Sequence, residues 1–298
     1  MEFYDIPLAV LAFLILLANS LVCVVVYRTR SLRTYTNGFV VSLAVSDILT
    51  GGVFFPCYFA RASFIGYVVS IVLLSGVMSV CLVTFDRYIA VLYPLRYRNI
   101  VQKLFSKLII GGWVITVLYS IVPLIWKTNA RSLAHKIYMV FHQLAVWIPY
   151  ICIFAVYYRI YCQVKRCIRS EDCLSLRGSK NSLCWWSREA KYIQIFSIIT
   201  LMFLISWLPI LYMTAVAWFE REDLIPLSLS IISHYTMALG SLVNPFVYSF
   251  KKPDFRKALY ALLSSRSNTI ARPGRYQWFR QSTRSETKSK GSIRETIV

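Results

Sequence analysis

The sequence predicts an all-α fold, a seven-transmembrane helix bundle followed by a cytoplasmic amphipathic eighth helix. Three observations carry that prediction. Only 15% of the 298 residues are charged while 57% are hydrophobic, a balance that soluble domains of this length rarely reach. Seven apolar runs follow one another, each long enough to cross a bilayer. Of the 33 lysines and arginines, 28 fall in alternate connecting segments and the tail and 5 in the others, which places the C-terminus in the cytosol. A net charge of +20 would suggest nucleic acid in a soluble protein; on one side of a membrane it does not, and no nucleic-acid partner is expected.

The first run, 6–27, follows a short extracellular N-terminus, 1–5, and precedes Arg28, Arg30 and Arg33, which mark the cytosolic side. It is too long for a cleavable signal peptide and lacks a basic leader. Asn19 lies mid-run and is expected to face the bundle. The second run, 38–60, has Asp47 at its centre, where a carboxylate needs a partner, an ion or a proton. Arg61 closes it on the outside. The third, 65–85, is 21 uncharged residues, roughly 30 Å of helix, and ends in Asp86-Arg87-Tyr88. Val69, Leu73, Gly76, Val80, Val83 and Arg87 share one face, which ends in a guanidinium at the water boundary. Such an arginine reads either as a snorkelling anchor or as a link from a buried pocket to an aqueous partner.

The fourth run, 108–126, carries Trp113, and the outer loop 127–136 has basic residues but no cysteine. The fifth, 137–162, is kinked at Pro149 and brings Tyr157 near its inner end. A basic loop, 163–190, with a flexible tip at 178–182, leads to Glu189 and the sixth run, 192–219, with Phe203, Trp207 and Pro209. The seventh, 224–250, ends in Asn244-Pro245-Phe-Val-Tyr248 and completes a bundle over 6–250. Residues 251–263 form a surface helix with Phe255, Leu259 and Leu262/Leu263 on one face. The polar, basic tail 264–298 is expected to be disordered. The eight cysteines match no zinc spacing and are read as reduced thiols, with no disulfide. With no Walker motif, metal cluster or nucleophile–base set, the chain is not expected to be an enzyme and needs no cofactor.

Taken helix by helix, Asn19, Asp47, Asp86-Arg87-Tyr88, Trp113, Pro149, Trp207-Leu-Pro209 and Asn244-Pro-x-x-Tyr248 resemble the marker residues of rhodopsin-like (class A) G-protein-coupled receptors. The resemblance covers residues 6–263. It implies a receptor at the plasma membrane that passes an extracellular ligand signal to a heterotrimeric G protein through movement of helices five to seven. It also implies partnership with a receptor kinase and arrestin at the tail, whose basic residues could alternatively hold membrane lipid. Arg87 would pair with Asp86 and with Glu189, unless Glu189 only neutralises Arg188 and Lys191. Tyr157 and Tyr248 would meet through water when the bundle opens. Asp47, Asn19, Ser241 and Asn244 would converge at mid-membrane, where the family holds sodium. Gly76 and Gly240 stand where two oxygen ligands are usual, so sodium is less expected than a protonated or hydrogen-bonded Asp47.

The ligand pocket expected from the resemblance is lined by Tyr58, Arg61, Val69, Leu73, Phe141, His142, Leu211, Thr214 and His234. Val69 stands where monoamine receptors carry an aspartate, and Ala238 where opsins carry the retinal lysine. Ala62 and the cysteine-free outer loop exclude the usual tether to the third helix. That missing tether and the incomplete ion cluster predict activity without ligand. A non-signalling seven-helix ligand-binding or scavenger-type protein is the alternative reading. A secondary transporter would need internal repeats that are absent here.

Overall fold

The computed structural model describes residues 3–126, 133–175, 180–219 and 221–264, and side chains outside 126, 167–192, 222, 250, 251, 263 and 264. Seven long helices are found among the described residues: α1 Asp5–Arg28, α2 Tyr35–Phe59, α3 Ile65–Leu92, α4 Tyr97–Ile121, α5 Leu133–Ser175, α6 Lys180–Trp218 and α7 Leu227–Lys251. A shorter helix, α8, follows at Pro253–Ser264. Contacts divide the chain into a unit Met1–Leu259, which holds the bundle, and a unit Tyr260–Val298, described only over 260–264.

Helices α1 to α6 are long and apolar enough to cross a bilayer, and the protein is a multi-pass membrane protein. α7 is also long, at 25 residues, but Ser230, Ser233, His234, Thr236, Ser241 and Asn244 dilute its apolar character. Those residues turn inward: Ser233, Ser241 and Asn244 are buried. α3 is the axis of the bundle. It packs on α2, α4, α5 and α6, while α1 packs on α2 and α7, and α7 on α6. Residues 72–77 of α3 are buried in succession, as expected of a helix surrounded by others.

Local chemistry sets several of the ends. Asp5 lies in the first turn of α1 and Arg28 in the last, each at the end of the helix dipole that favours its charge. The Thr34 hydroxyl accepts from the Asn37 N–H at 3.2 Å and caps α2. α2 is not one regular helix. A π turn, Thr50–Phe54, interrupts it before Pro56. There Gly51 lies so close to α1 that a Cβ would sit 2.7 Å from the Ala12 carbonyl oxygen. Pro149, Pro209 and Pro245 lie inside α5, α6 and α7, each removing one helical hydrogen bond.

Three sequence readings need correction. α4 begins at Tyr97 rather than at residue 108, so helical residues already lead into the fourth span. α5 continues to Ser175 and α6 starts at Lys180, so the expected loop 163–190 is largely helical. Helix-forming Lys, Arg, Gln and Glu continue both helices beyond the apolar run. The Arg87 side chain, expected to end its helix face as an open guanidinium, is covered by the bundle, with 5% of its surface exposed.

Candidate functional site

The marker residues gather into three layers along α3. At the Arg87 end, Asp86 is fully buried and accepts from three side chains. Tyr97 donates to its Oδ1 at 2.7 Å, Thr36 to its Oδ2 at 2.9 Å, and Arg87 Nε to its Oδ2 at 3.1 Å. Arg87 Nη2 also bonds Asp86 Oδ2, and it donates to the Thr36 hydroxyl at 2.6 Å. The guanidinium carbon lies 5.0 Å from the centre of the Phe196 ring of α6, a cation–π contact. Lys252 approaches the same ring at 5.6 Å, is itself buried, and donates to Asn37 Oδ1 at 2.6 Å. Burial, followed by the nearby Arg87 charge, pushes the Lys252 amine down to about 8. Tyr88 turns away from this network and packs with Val91, Ile160, Val164 and Ile193. The Glu189 side chain, the second partner expected for Arg87, lies outside the described residues.

On the α5 side, the Tyr157 hydroxyl is 3.1 Å from that of Thr200 on α6. The Tyr248 hydroxyl of α7 is buried and has no hydrogen-bond partner, and its ring meets that of Phe255 at 6.4 Å. Tyr157 and Tyr248 are therefore not hydrogen-bonded to each other here.

In the middle layer, Asn244 Nδ2 donates to Asp47 Oδ2 at 2.7 Å. Asn19 Nδ2 donates to the Ile15 carbonyl at 3.0 Å and to the Ser241 carbonyl at 3.3 Å. All four are buried, so α1, α2 and α7 are joined through polar groups in a region where each needs a partner. Trp113 donates to the Ser42 hydroxyl at 3.0 Å, which in turn lies 3.0 Å from the Ser79 hydroxyl. Phe203 and Trp207 are both buried with ring centres 6.1 Å apart, and Thr236 of α7 donates to the Ser206 carbonyl beside Pro209 at 3.1 Å. For a sodium ion, the oxygens are the Asp47 carboxylate, the Ser241 hydroxyl beside it and the buried, unpartnered Asn19 and Asn244 amide oxygens. Gly76 and Gly240 add none, and Phe203 and Ser206 crowd against them.

In the third layer, at the Tyr58 end, the expected pocket residues divide into groups. Tyr58 and His234 rings lie 4.3 Å apart, and Phe54 stacks on His234 at 6.0 Å. His142 is buried in a ring cluster with Tyr119 and Tyr138, at 6.1 and 5.8 Å. Thr214 accepts from Gln143 Nε2 at 2.7 Å and donates to the Leu211 carbonyl at 3.0 Å. Leu73 and Leu211 are buried, and Val69 is half-buried. Phe141 does not join them: it is 58% exposed, on the opposite side of α5 from buried His142 and Val146. Arg61 is exposed and takes a left-handed φ of 50° where the helix ends. Sequence reasoning missed Thr36, Asn37, Phe196 and Lys252, which belong to no marker motif, and it gave no contact to Tyr97, which ends the block that continues from Asp86-Arg87-Tyr88. Lys252 reads in the sequence only as a charged residue beside the surface helix, yet it is buried.

Residues 18–248 match the family described as 7 transmembrane receptor (rhodopsin family). Among relatives, the horse adenosine receptor A2a (Equus caballus) is 26% identical, over 86% of this chain and 70% of its own length. The bovine adenosine receptor A3 (Bos taurus) is 26% identical, over 84% of this chain and 86% of its own. A D(1)-like dopamine receptor of Oreochromis mossambicus is 28% identical, over 86% and 77%.

Proposed function

The chain belongs to the rhodopsin family of seven-transmembrane receptors, and from that premise we propose that it couples an extracellular ligand to a heterotrimeric G protein by moving α6 relative to α3. The Arg87 end is then cytoplasmic and the Tyr58 end extracellular, in the plasma membrane. One observation carries the reading. Arg87, the residue placed to meet an aqueous partner, is covered by the Phe196 ring of α6 and held by Asp86 and Thr36. A partner reaches it only after α6 moves, so a displacement of one helix becomes exposure of one charge. Tyr157 bonded to Thr200, with Tyr248 not bonded to it, supports reading this arrangement as the closed one. Receptor kinase and arrestin act on the tail, which lies outside the described residues beyond 264, and membrane lipid surrounds the bundle.

Adenosine and dopamine, the ligands in the relatives' names, differ in charge. Dopamine is a protonated amine, and Val69, Leu73, His142, Leu211 and Thr214 offer it no carboxylate. The lining favours an uncharged ligand that stacks on rings and accepts or donates hydrogen bonds. The deciding experiment is nucleotide exchange on a panel of purified G proteins, with and without a ligand library. Ligand binding that never alters exchange on any G protein would support the non-signalling alternative.

A further inference from the structure

Two glycines flank the central Asp47 layer, and each receives a side chain of α6. A Cβ on Gly76 of α3 would lie 2.6 Å from Phe203 Cε2 and 2.8 Å from Cζ. A Cβ on Gly240 of α7 would lie 2.5 Å from the Ser206 Cβ and closer still to its Oγ. Carbon atoms do not approach that closely, so a methyl group at either position must displace α6 side chains. Neither neighbour yields easily. The Phe203 ring is buried beside Trp207. The Ser206 Cβ is one bond from the backbone, and its hydroxyl is held by the Phe203 carbonyl at 2.8 Å. Phe203 and Ser206 are three residues apart and share one face of α6. That face is keyed into notches on the two helices beside it. Gly38, Gly51 and Gly112 are faced as closely, but by Phe105, the Ala12 carbonyl and Met78 rather than by α6, while nothing lies within 4 Å of a Cβ on Gly66 or Gly111.

We infer that Gly76 and Gly240 are positioning residues that seat α6 in its closed place and set the ligand-free activity. The inference rests on the reading that α6 is the moving element. It reverses one sequence expectation. The oxygen ligands missing at these two positions predicted a resting state without a brake. The same missing side chains create the space into which α6 packs. Close van der Waals contact is lost within a fraction of an ångström, so the seat favours one position of α6 sharply over a slightly displaced one. The native chain is therefore quiet without ligand.

The test uses the full chain in lipid nanodiscs, with two readouts: ligand-free nucleotide exchange on the G-protein panel, and amide hydrogen exchange over residues 193–210. Gly76→Ala and Gly240→Ala are expected to raise ligand-free exchange by roughly tenfold, the order expected for overpacking by one methyl group, and to speed hydrogen exchange in α6. Phe203→Leu in the Gly76→Ala chain, and Ser206→Gly in the Gly240→Ala chain, should return both readouts toward native. Gly66→Ala and Gly111→Ala should change neither. The inference is overturned if Gly76→Ala and Gly240→Ala behave like those controls, or if the compensating changes restore nothing. If a single variant is not recovered folded, recovery of its compensated double supports the seat and failure of the double overturns it. Should no G protein respond to any variant while hydrogen exchange follows this pattern, the coupling reading fails and the seat stands.

Discussion

Removing one hydroxyl at the Arg87 end should open the receptor by a calculable amount. Tyr97→Phe keeps the ring and deletes only the phenol that donates to Asp86 Oδ1 at 2.7 Å. A hydrogen bond to a charged group contributes about 1.5–3 kcal/mol net. Asp86 keeps its bonds from Thr36 and Arg87, so the carboxylate is not stranded and the lower figure applies. If the bond exists only in the closed arrangement, its loss of about 1.5 kcal/mol raises the ratio of open to closed by roughly tenfold. A chain that is about 1% open without ligand then becomes about 10% open. Ligand-free nucleotide exchange on the responsive G protein measures this directly, normalised to surface expression. Thr36→Val should do more, because that hydroxyl both donates to Asp86 and accepts from Arg87. The double variant should fall short of the sum, since both bonds converge on one carboxylate. Unchanged or lower ligand-free exchange in Tyr97→Phe at native expression would refute the reasoning.

Arg87→Ala should abolish nucleotide exchange while leaving surface expression largely intact, because the residue held by Asp86 and Phe196 is the one the partner needs; exchange at the native rate would count against it. Truncation after Ser264 should suppress arrestin recruitment in cells, since phosphates on the serine- and threonine-rich tail supply the acceptors for a basic partner. Lys252 carries a pH signature. Its amine is held at about 8 against an ordinary 10.5, so between those values the unfolded chain binds more protons than the folded one. Stability therefore rises with pH across that window, and below it this group adds no pH dependence because both states are protonated. The melting temperature of the purified protein should climb from pH 8 to 10.5, and Lys252→Met should flatten the climb; an equal slope in both would remove the buried lysine as its cause.

The bundle was legible because lipid imposes strict terms. A span must be apolar over its whole length, and the positive charges must fall on one side. Asn19, Asp47 and Asn244 stood out for the same reason, since polar groups at that depth must find each other. What stayed hidden were contacts made by ordinary residues. Thr36 and Tyr97 look like any helix-end threonine and tyrosine until α2 and α4 bring them to Asp86 from 50 and 11 residues away. Phe141 was placed in the pocket from its position in the fifth run. Successive residues of a helix are about 100° apart, so of the pair 141–142 only His142 points inward. The helical extensions of α5 and α6 were invisible because a span was equated with its apolar run.

The π turn at Thr50–Phe54 gives the part of α2 beyond it a different phase from the rest. One extra residue in a turn rotates everything beyond it by about 100° relative to an unbroken helix. Phe54 and Tyr58 consequently meet His234 across the mouth of the bundle. Counting outward from Asp47 with an unbroken helical wheel therefore assigns the wrong residue to each direction past Thr50. Transferring a binding residue from a relative without this turn requires a one-position offset there. A chimera joined within residues 50–54 would inherit either phase depending on a single residue's insertion or deletion, making this segment a rotary setting for which side chains greet the ligand.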